Sequence, residues 1–80
     1  MQAKVTITLK SGVLDPQGKA IEGALTGLGF DGASRVRQGK IIEMTLTETS
    51  EAVARAKVED MCARLLANPV LESYSIEIMA

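Results

Sequence analysis

At 80 residues the chain has room for one domain, and a core of that size is marginal: apolar burial worth about 25 cal/mol per Å² is nearly cancelled by an ordering entropy of about 1.5 kcal/mol per residue. Nine basic residues against ten acidic ones give a net charge of −1 with no Lys/Arg cluster, and Phe30 and Tyr74 are the only aromatics, so neither phosphate neutralisation nor base stacking is provided for. A single cysteine, Cys62, excludes an intrachain disulfide, and the lack of histidine removes the commonest zinc ligand and the commonest general base.

Residues 3–10 alternate strictly. Ala3, Val5, Ile7 and Leu9 fall on one side and Lys4, Thr6, Thr8 and Lys10 on the other, which predicts a half-buried strand ending at Ser11-Gly12. Asp15-Pro16 predicts a helix start, with the aspartate accepting from orphan N–H groups and the proline pre-set for the first helical position. Ala20, Ile21, Ala24, Leu25 and Leu28 then form one apolar stripe, and Gly27 and Gly29 bracket its end. Gly18 and Gly23 weaken that helix by roughly 1 kcal/mol each relative to alanine, so packing must hold it.

Residues 33–47 predict a hairpin: a short strand over 33–37, a turn at Gln38-Gly39, and a better strand over 40–47 with Ile42, Met44 and Leu46 on one face. Thr49 or Ser50 can cap a second helix whose stripe is Ala54, Val58, Met61, Cys62 and Leu65. Asn68-Pro69 ends it, the asparagine by tolerating a left-handed position and the proline by being unable to continue. A final strand over 70–79 puts Tyr74, Ile76 and Ile78 on one face, with Leu71 and Met79 on the other.

The order β-α-β-β-α-β predicts an α+β two-layer sandwich, with both helices on one face of a mainly antiparallel four-stranded sheet. Chain direction alone then gathers residues 13–19, 37–40 and 68–70 at one pole. The helix-free sheet face, carrying Ile41, Leu71 and Met79, is a candidate self-association surface. No apolar run approaches the roughly 20 residues of a membrane span, and Met1 leads directly into a strand pattern instead of a leader, so a cytoplasmic location is expected.

No catalytic, cofactor-binding or metal-ligating set emerges. Cys62 lies on an apolar stripe with no base to activate it and reads as a small buried hydrophobe. Asp15 is accounted for as a cap, and Glu43, Glu59 and Asp60 as solvated faces. Gly18-Lys19 at a helix start lacks Walker or Rossmann spacing and reads as a plain helix start. Arg35 and Arg37 fit a carboxylate, a phosphate or a partner's acidic group as well as they fit solvent.

Three stretches together resemble one known family. They are Gly12-Val13-Leu14-Asp15-Pro16-Gln17-Gly18-Lys19-Ala20-Ile21, Arg37-Gln38-Gly39-Lys40, and Leu65-Leu66-Ala67-Asn68-Pro69-Val70-Leu71-Glu72-Ser73-Tyr74. In order and spacing they look like the PurS family, the small subunits of phosphoribosylformylglycinamidine synthase, along nearly the whole chain. The resemblance implies a single PurS-like domain over residues 1–80 and a non-catalytic role in de novo purine synthesis. It implies a homo-oligomer (dimer or tetramer) that bridges a PurQ-like glutaminase and a PurL-like synthetase and assists ammonia transfer between them. It further implies that the complex uses ATP and Mg while this subunit binds no cofactor, and that neither nucleic acid nor membrane is a partner.

Joined to the shared pole, this reading makes Val13, Leu14, Asp15, Gln17, Lys19, Arg37, Lys40 and Asn68 the expected contacts with the larger subunits, and Ile41, Leu71 and Met79 the self-association set. The main alternative is an ACT-like ligand-sensing module, which shares the element order. An acylphosphatase-like enzyme is disfavoured because residues 11–18 contain no arginine for a phosphate loop.

Overall fold

The computed structural model describes residues 1–80 and contains three strands and two helices. Strand β1 (Gln2–Leu9) lies at the centre of an antiparallel sheet of order β2-β1-β3, flanked by β2 (Gly39–Thr45) and β3 (Glu72–Met79). Helix α1 (Pro16–Gly27) follows β1. Helix α2 (Glu51–Met61) follows β2 and runs without a break into a π-helical turn over Cys62–Leu66.

The register explains the central core. Val5 faces Ile42 on one side and Ile76 on the other, and Ala3 faces Met44 and Ile78, so one sheet face is apolar across all three strands. Ala54 and Val58 of α2 and Cys62 at the start of the π-turn bury themselves against that face, above Ala3, Val5 and Ile7. Helix α2 is capped by Ser50, whose Oγ accepts from Val53 N at 3.4 Å.

The α+β class and the antiparallel sheet match the expectation, but several particulars differ. The strand expected over 33–37 is absent. The outer edge of β2, its expected hairpin partner, stays unpaired, because N–H groups at the segment go to carboxylates instead of a ladder: Val36 N donates to Glu22 Oε1 at 3.1 Å and Gln38 N to Asp15 Oδ2 at 2.8 Å. Arg35, at φ 55°, is the one non-glycine residue in the left-handed region and breaks any extended run. Gly39 opens β2 opposite Thr8 and does not form a hairpin turn; a Cβ there would press on Ile7 O.

The second helix also departs from its stripe. A π-turn carries more residues per turn than an α-turn, and Ala67 N donates to Cys62 O at 3.1 Å, five residues back. Leu65 is thereby rotated outward and is 82% exposed, while Leu66 packs beside the core. Asn68 does not use a left-handed conformation. It forms an Asx turn, Oδ1 accepting from Val70 N at 3.0 Å.

The largest difference concerns α1. It was expected over the sheet beside α2, but its only buried residue is Gly18. The molecule measures 49 × 26 × 14 Å, and its radius of gyration is 16.0 Å, against about 12 Å for a compact 80-residue domain. An eight-residue strand of about 27 Å followed by a twelve-residue helix of about 18 Å accounts for the long dimension. Helix α1 therefore extends past the end of the sheet.

Candidate functional site

The pole expected from chain direction is present. Lys10 N donates to Leu71 O at 2.8 Å and Lys10 Nζ to Pro69 O at 2.8 Å, tying the exit of β1 to the entry of β3. Arg37 ties in the entry of β2: Nη1 donates to Val13 O at 2.9 Å, and Nη2 donates to Lys10 O at 3.1 Å and Leu9 O at 3.3 Å. Its planar fork reaches three carbonyls, one at the end of β1 and two in the connection to α1, which lysine's single ammonium could not do.

Asp15 is the second tie. Its carboxylate is nearly fully buried, with Oδ1 accepting from Gly18 N at 2.9 Å as the N-cap of α1 and Oδ2 accepting from Gln38 N. Those bonds, the Gln38 N–H foremost and the Gly18 N–H next, hold its pKa below the ordinary aspartate value, with the Arg37 guanidinium adding to the effect against the opposing cost of burial. Gly18 permits the arrangement. A Cβ at that position would overlap the Val36 carbonyl oxygen and lie 2.9 Å from Asp15 Oδ2.

The expected contact residues thus divide into two kinds. Asp15, Arg37, Asn68 and the carbonyl of Val13 are committed to holding the pole together. Leu14, which is 70% exposed, and Gln17, Lys19 and Lys40 face outward and are free to touch another chain. Two further apolar side chains are exposed: Val70 at 75%, which periodicity did not single out, and Leu65, which periodicity placed on the buried stripe and the π-turn turns outward. Arg35 and Lys19 line a cleft of about 400 Å³ between the β1–α1 connection and residues 35–37. Ile41, Leu71 and Met79 are exposed, but Ile41 pairs with Thr6, Met79 pairs with Gln2 at the far end of β1, and Leu71, expected in the final strand, lies in the turn before β3, so the three do not form one patch on the sheet.

Reactive chemistry is not assembled here. Cys62 is fully buried, and burial followed by the nearby Glu59 charge pushes its thiol pKa up, away from thiolate. No group of three or more His, Cys, Asp or Glu side chains comes close enough to hold a metal ion. No helix is long and apolar enough to cross a membrane. The pole offers shape, hydrogen-bonding groups and apolar contact, which suits recognition of another protein surface.

Comparison with known proteins agrees. Residues 2–80 match the family model described as PurS, phosphoribosylformylglycinamidine (FGAM) synthase. A curated relative from Synechocystis sp., the PurS subunit of phosphoribosylformylglycinamidine synthase, is 48% identical over 77 residues, covering 96% of this chain and 77% of the relative. The crystal structure of Bacillus subtilis PurS is 40% identical, covers 99% of this chain and 98% of its own, and superposes with a TM-score of 0.87. A chain of the PurLQS structure from Thermotoga maritima is 30% identical, covers 96% of each chain and gives a TM-score of 0.83.

Proposed function

The chain belongs to the PurS family of phosphoribosylformylglycinamidine synthase, and from that premise we propose that it works as the small subunit of this ligase in purine biosynthesis, joining a PurL-like synthetase to a PurQ-like glutaminase. The observation that carries the reading is the match over residues 2–80 together with likeness to a chain of a PurLQS assembly, which leaves no part of this chain unaccounted for. Its own groups suit a connecting role. The only thiol is buried, and the Asp15 carboxylate is tied up in a helix cap and a bond from Gln38 N.

The larger subunits carry the chemistry. Glutamine supplies ammonia at one site and ATP with Mg drives its incorporation at the other, and this subunit holds no cofactor. Ammonia escaping to water would be protonated and lost as a nucleophile, so the connecting subunit acts as a seal between the two sites. The outward residues of the pole, Leu14, Gln17, Lys19 and Lys40, make the contacts with the large subunits, with Leu65 and Val70 as apolar neighbours. Val13, Asp15, Arg37 and Asn68 hold that surface in shape. The chain acts as a homo-oligomer, and its place is the cytoplasm, where purine nucleotides are made.

Reconstitution tests the proposal. Amidine formation is measured with the PurL-like and PurQ-like chains of the same organism, with and without this chain, using either glutamine or ammonium as nitrogen donor. Glutamine-dependent activity is expected to require this chain, while ammonium-dependent activity of the synthetase persists without it. Equal glutamine-dependent rates in both mixtures would refute the connecting role.

A further inference from the structure

The cleft of about 400 Å³ at the pole carries cations that the chain itself does not satisfy. Its walls hold three basic side chains, Lys19, Arg35 and Arg37, against two acidic ones, Asp15 and Glu22, a formal excess of one positive charge. The acids are turned to backbone: Asp15 accepts from Gly18 N and Gln38 N, and Glu22 Oε1 accepts from Val36 N. Arg37 uses its fork on three carbonyls. Lys19 Nζ and the Arg35 guanidinium have no partner in the chain, whose two ion pairs, Lys57 with Glu48 and Arg64 with Asp60, lie along α2 and its flanks. Arg35 also stands in the left-handed region at φ 55°, where a residue bearing a side chain is strained. The bonds made by Val36 N and Gln38 N hold it there, and strain enforced by the surroundings marks binding positions.

We propose that this cleft receives one carboxylate, from an acidic side chain of one of the larger subunits, gripped between Lys19 and Arg35 with Leu14 and Val36 against its methylene groups. The inference rests on the connecting role proposed above and names the chemistry of its docking. Charge selects the group. An excess of one positive charge matches a carboxylate, whereas a phosphate monoester carrying about −1.5 to −2 would set unbalanced negative charge against Asp15 and Glu22. Guanidinium and carboxylate also match in shape, two N–H groups to two oxygens. Magnitude selects the source. A solvent-exposed ion pair is worth at most about fivefold in affinity, so two of them give a free anion about 25-fold, against a cost of roughly a thousandfold or more for its lost translation and rotation. A carboxylate carried on a docking protein surface does not meet that cost a second time. The same contact excludes water from the pair, which strengthens it.

Two experiments use the full-length chain with the PurL-like and PurQ-like chains of the same organism. In the first, the parent complex is treated with a water-soluble carbodiimide, which condenses an amine with a carboxylate: an amide bond forms at Lys19 Nζ, and the water removed hydrates the reagent to its urea. Peptide mapping is expected to find Lys19 joined to an Asp or Glu of a larger subunit. Lys19 joined only to its own Glu22, or left unmodified, would overturn the proposal. In the second, binding titrations compare Arg35→Gln with Lys57→Gln, which removes the same charge from an exposed position on α2. Arg35→Gln is expected to weaken assembly about 30-fold or more, as truncating one partner of a hydrogen-bonded charge pair at an interface does, and Lys57→Gln by less than about threefold. Equal affinities of the parent and Arg35→Gln would overturn this inference alone, whereas a parent that joins neither larger subunit would overturn the connecting role with it. Saturable binding of free glutarate to the isolated chain below about 1 mM would overturn the assignment to a protein-borne carboxylate.

Discussion

Alanine at Gly18 and alanine at Gly23 are expected to change stability in opposite directions, although both glycines lie inside α1. Propensity alone favours alanine at either position by about 0.5–1 kcal/mol, through a less flexible unfolded chain and a better helix. Gly23 has nothing within 4 Å of where a Cβ would stand, and it lies off the apolar stripe, so neither its own chain nor a second copy opposes the change. At Gly18 the new methyl would overlap the Val36 carbonyl oxygen and press on the Asp15 carboxylate. Both obstacles are fixed, the carbonyl by backbone and the carboxylate by bonds to Gly18 N and Gln38 N. Overpacking of that kind costs about 1–3 kcal/mol, which outweighs the propensity gain and leaves a net loss of about 1–2 kcal/mol. For a domain of this size each kcal/mol moves Tm by about 4–8 °C. Differential scanning calorimetry at one fixed protein concentration should therefore place Gly18→Ala roughly 5–15 °C below the parent and Gly23→Ala a few degrees above it. A Gly18→Ala protein as stable as Gly23→Ala would refute the claim that residues 35–38 press against the first turn of α1.

Other consequences are as direct. Asp15 has a lowered pKa in the folded state, so the stability it contributes is complete above the ordinary aspartate value of about 4 and is lost as pH falls through the lower folded value; Asp15→Asn should be less stable at neutral pH and show a shallower acid loss in urea titrations run from about pH 6 to 2. Cys62 has a raised pKa, so its contribution is complete below the ordinary thiol value and fades as pH climbs through and beyond about 9. The same burial predicts that dithionitrobenzoate labels the native chain at least about 100-fold more slowly than the urea-unfolded chain, and equal rates would contradict it. Across the π-turn, Leu66→Ala should lower unfolding free energy by about 1–2 kcal/mol and Leu65→Ala by no more than about 0.5 kcal/mol, judged by urea midpoints; the reverse order would return the segment to a regular α-helix.

Much of the architecture was legible because it is written in local periodicity. The alternation at Ala3, Val5 and Ile7 identified the central strand, and Asp15-Pro16 located the start of α1. Chain direction correctly gathered residues 13–19, 37–40 and 68–70 at one end. What escaped depends on competition between distant groups. Residues 33–37 were expected to pair with the strand after Gln38-Gly39, yet the carboxylates of Glu22 and Asp15 take the N–H groups of Val36 and Gln38 and the outer edge of β2 stays unpaired. The exposed placement of α1 also escaped, because an apolar stripe specifies that a helix must be covered and does not specify by which chain. Among the expected contact residues, Asp15 and Arg37 make long-range hydrogen bonds within the chain that spacing could not foretell, bracing the surface that Leu14 and Lys19 present.

The widened turn at Cys62–Leu66 sets a constraint on length. It accommodates a surplus residue between Cys62, anchored in the sheet's apolar layer, and Asn68, whose backbone and amide launch the final strand. Shortening the loop-ward half of that helix by one amino acid would let ordinary 3.6-residue winding resume, but would pull the launching turn about a third of a revolution out of phase with Lys10. Insertions and deletions in this stretch should thus be far less tolerated than substitutions, even at exposed positions.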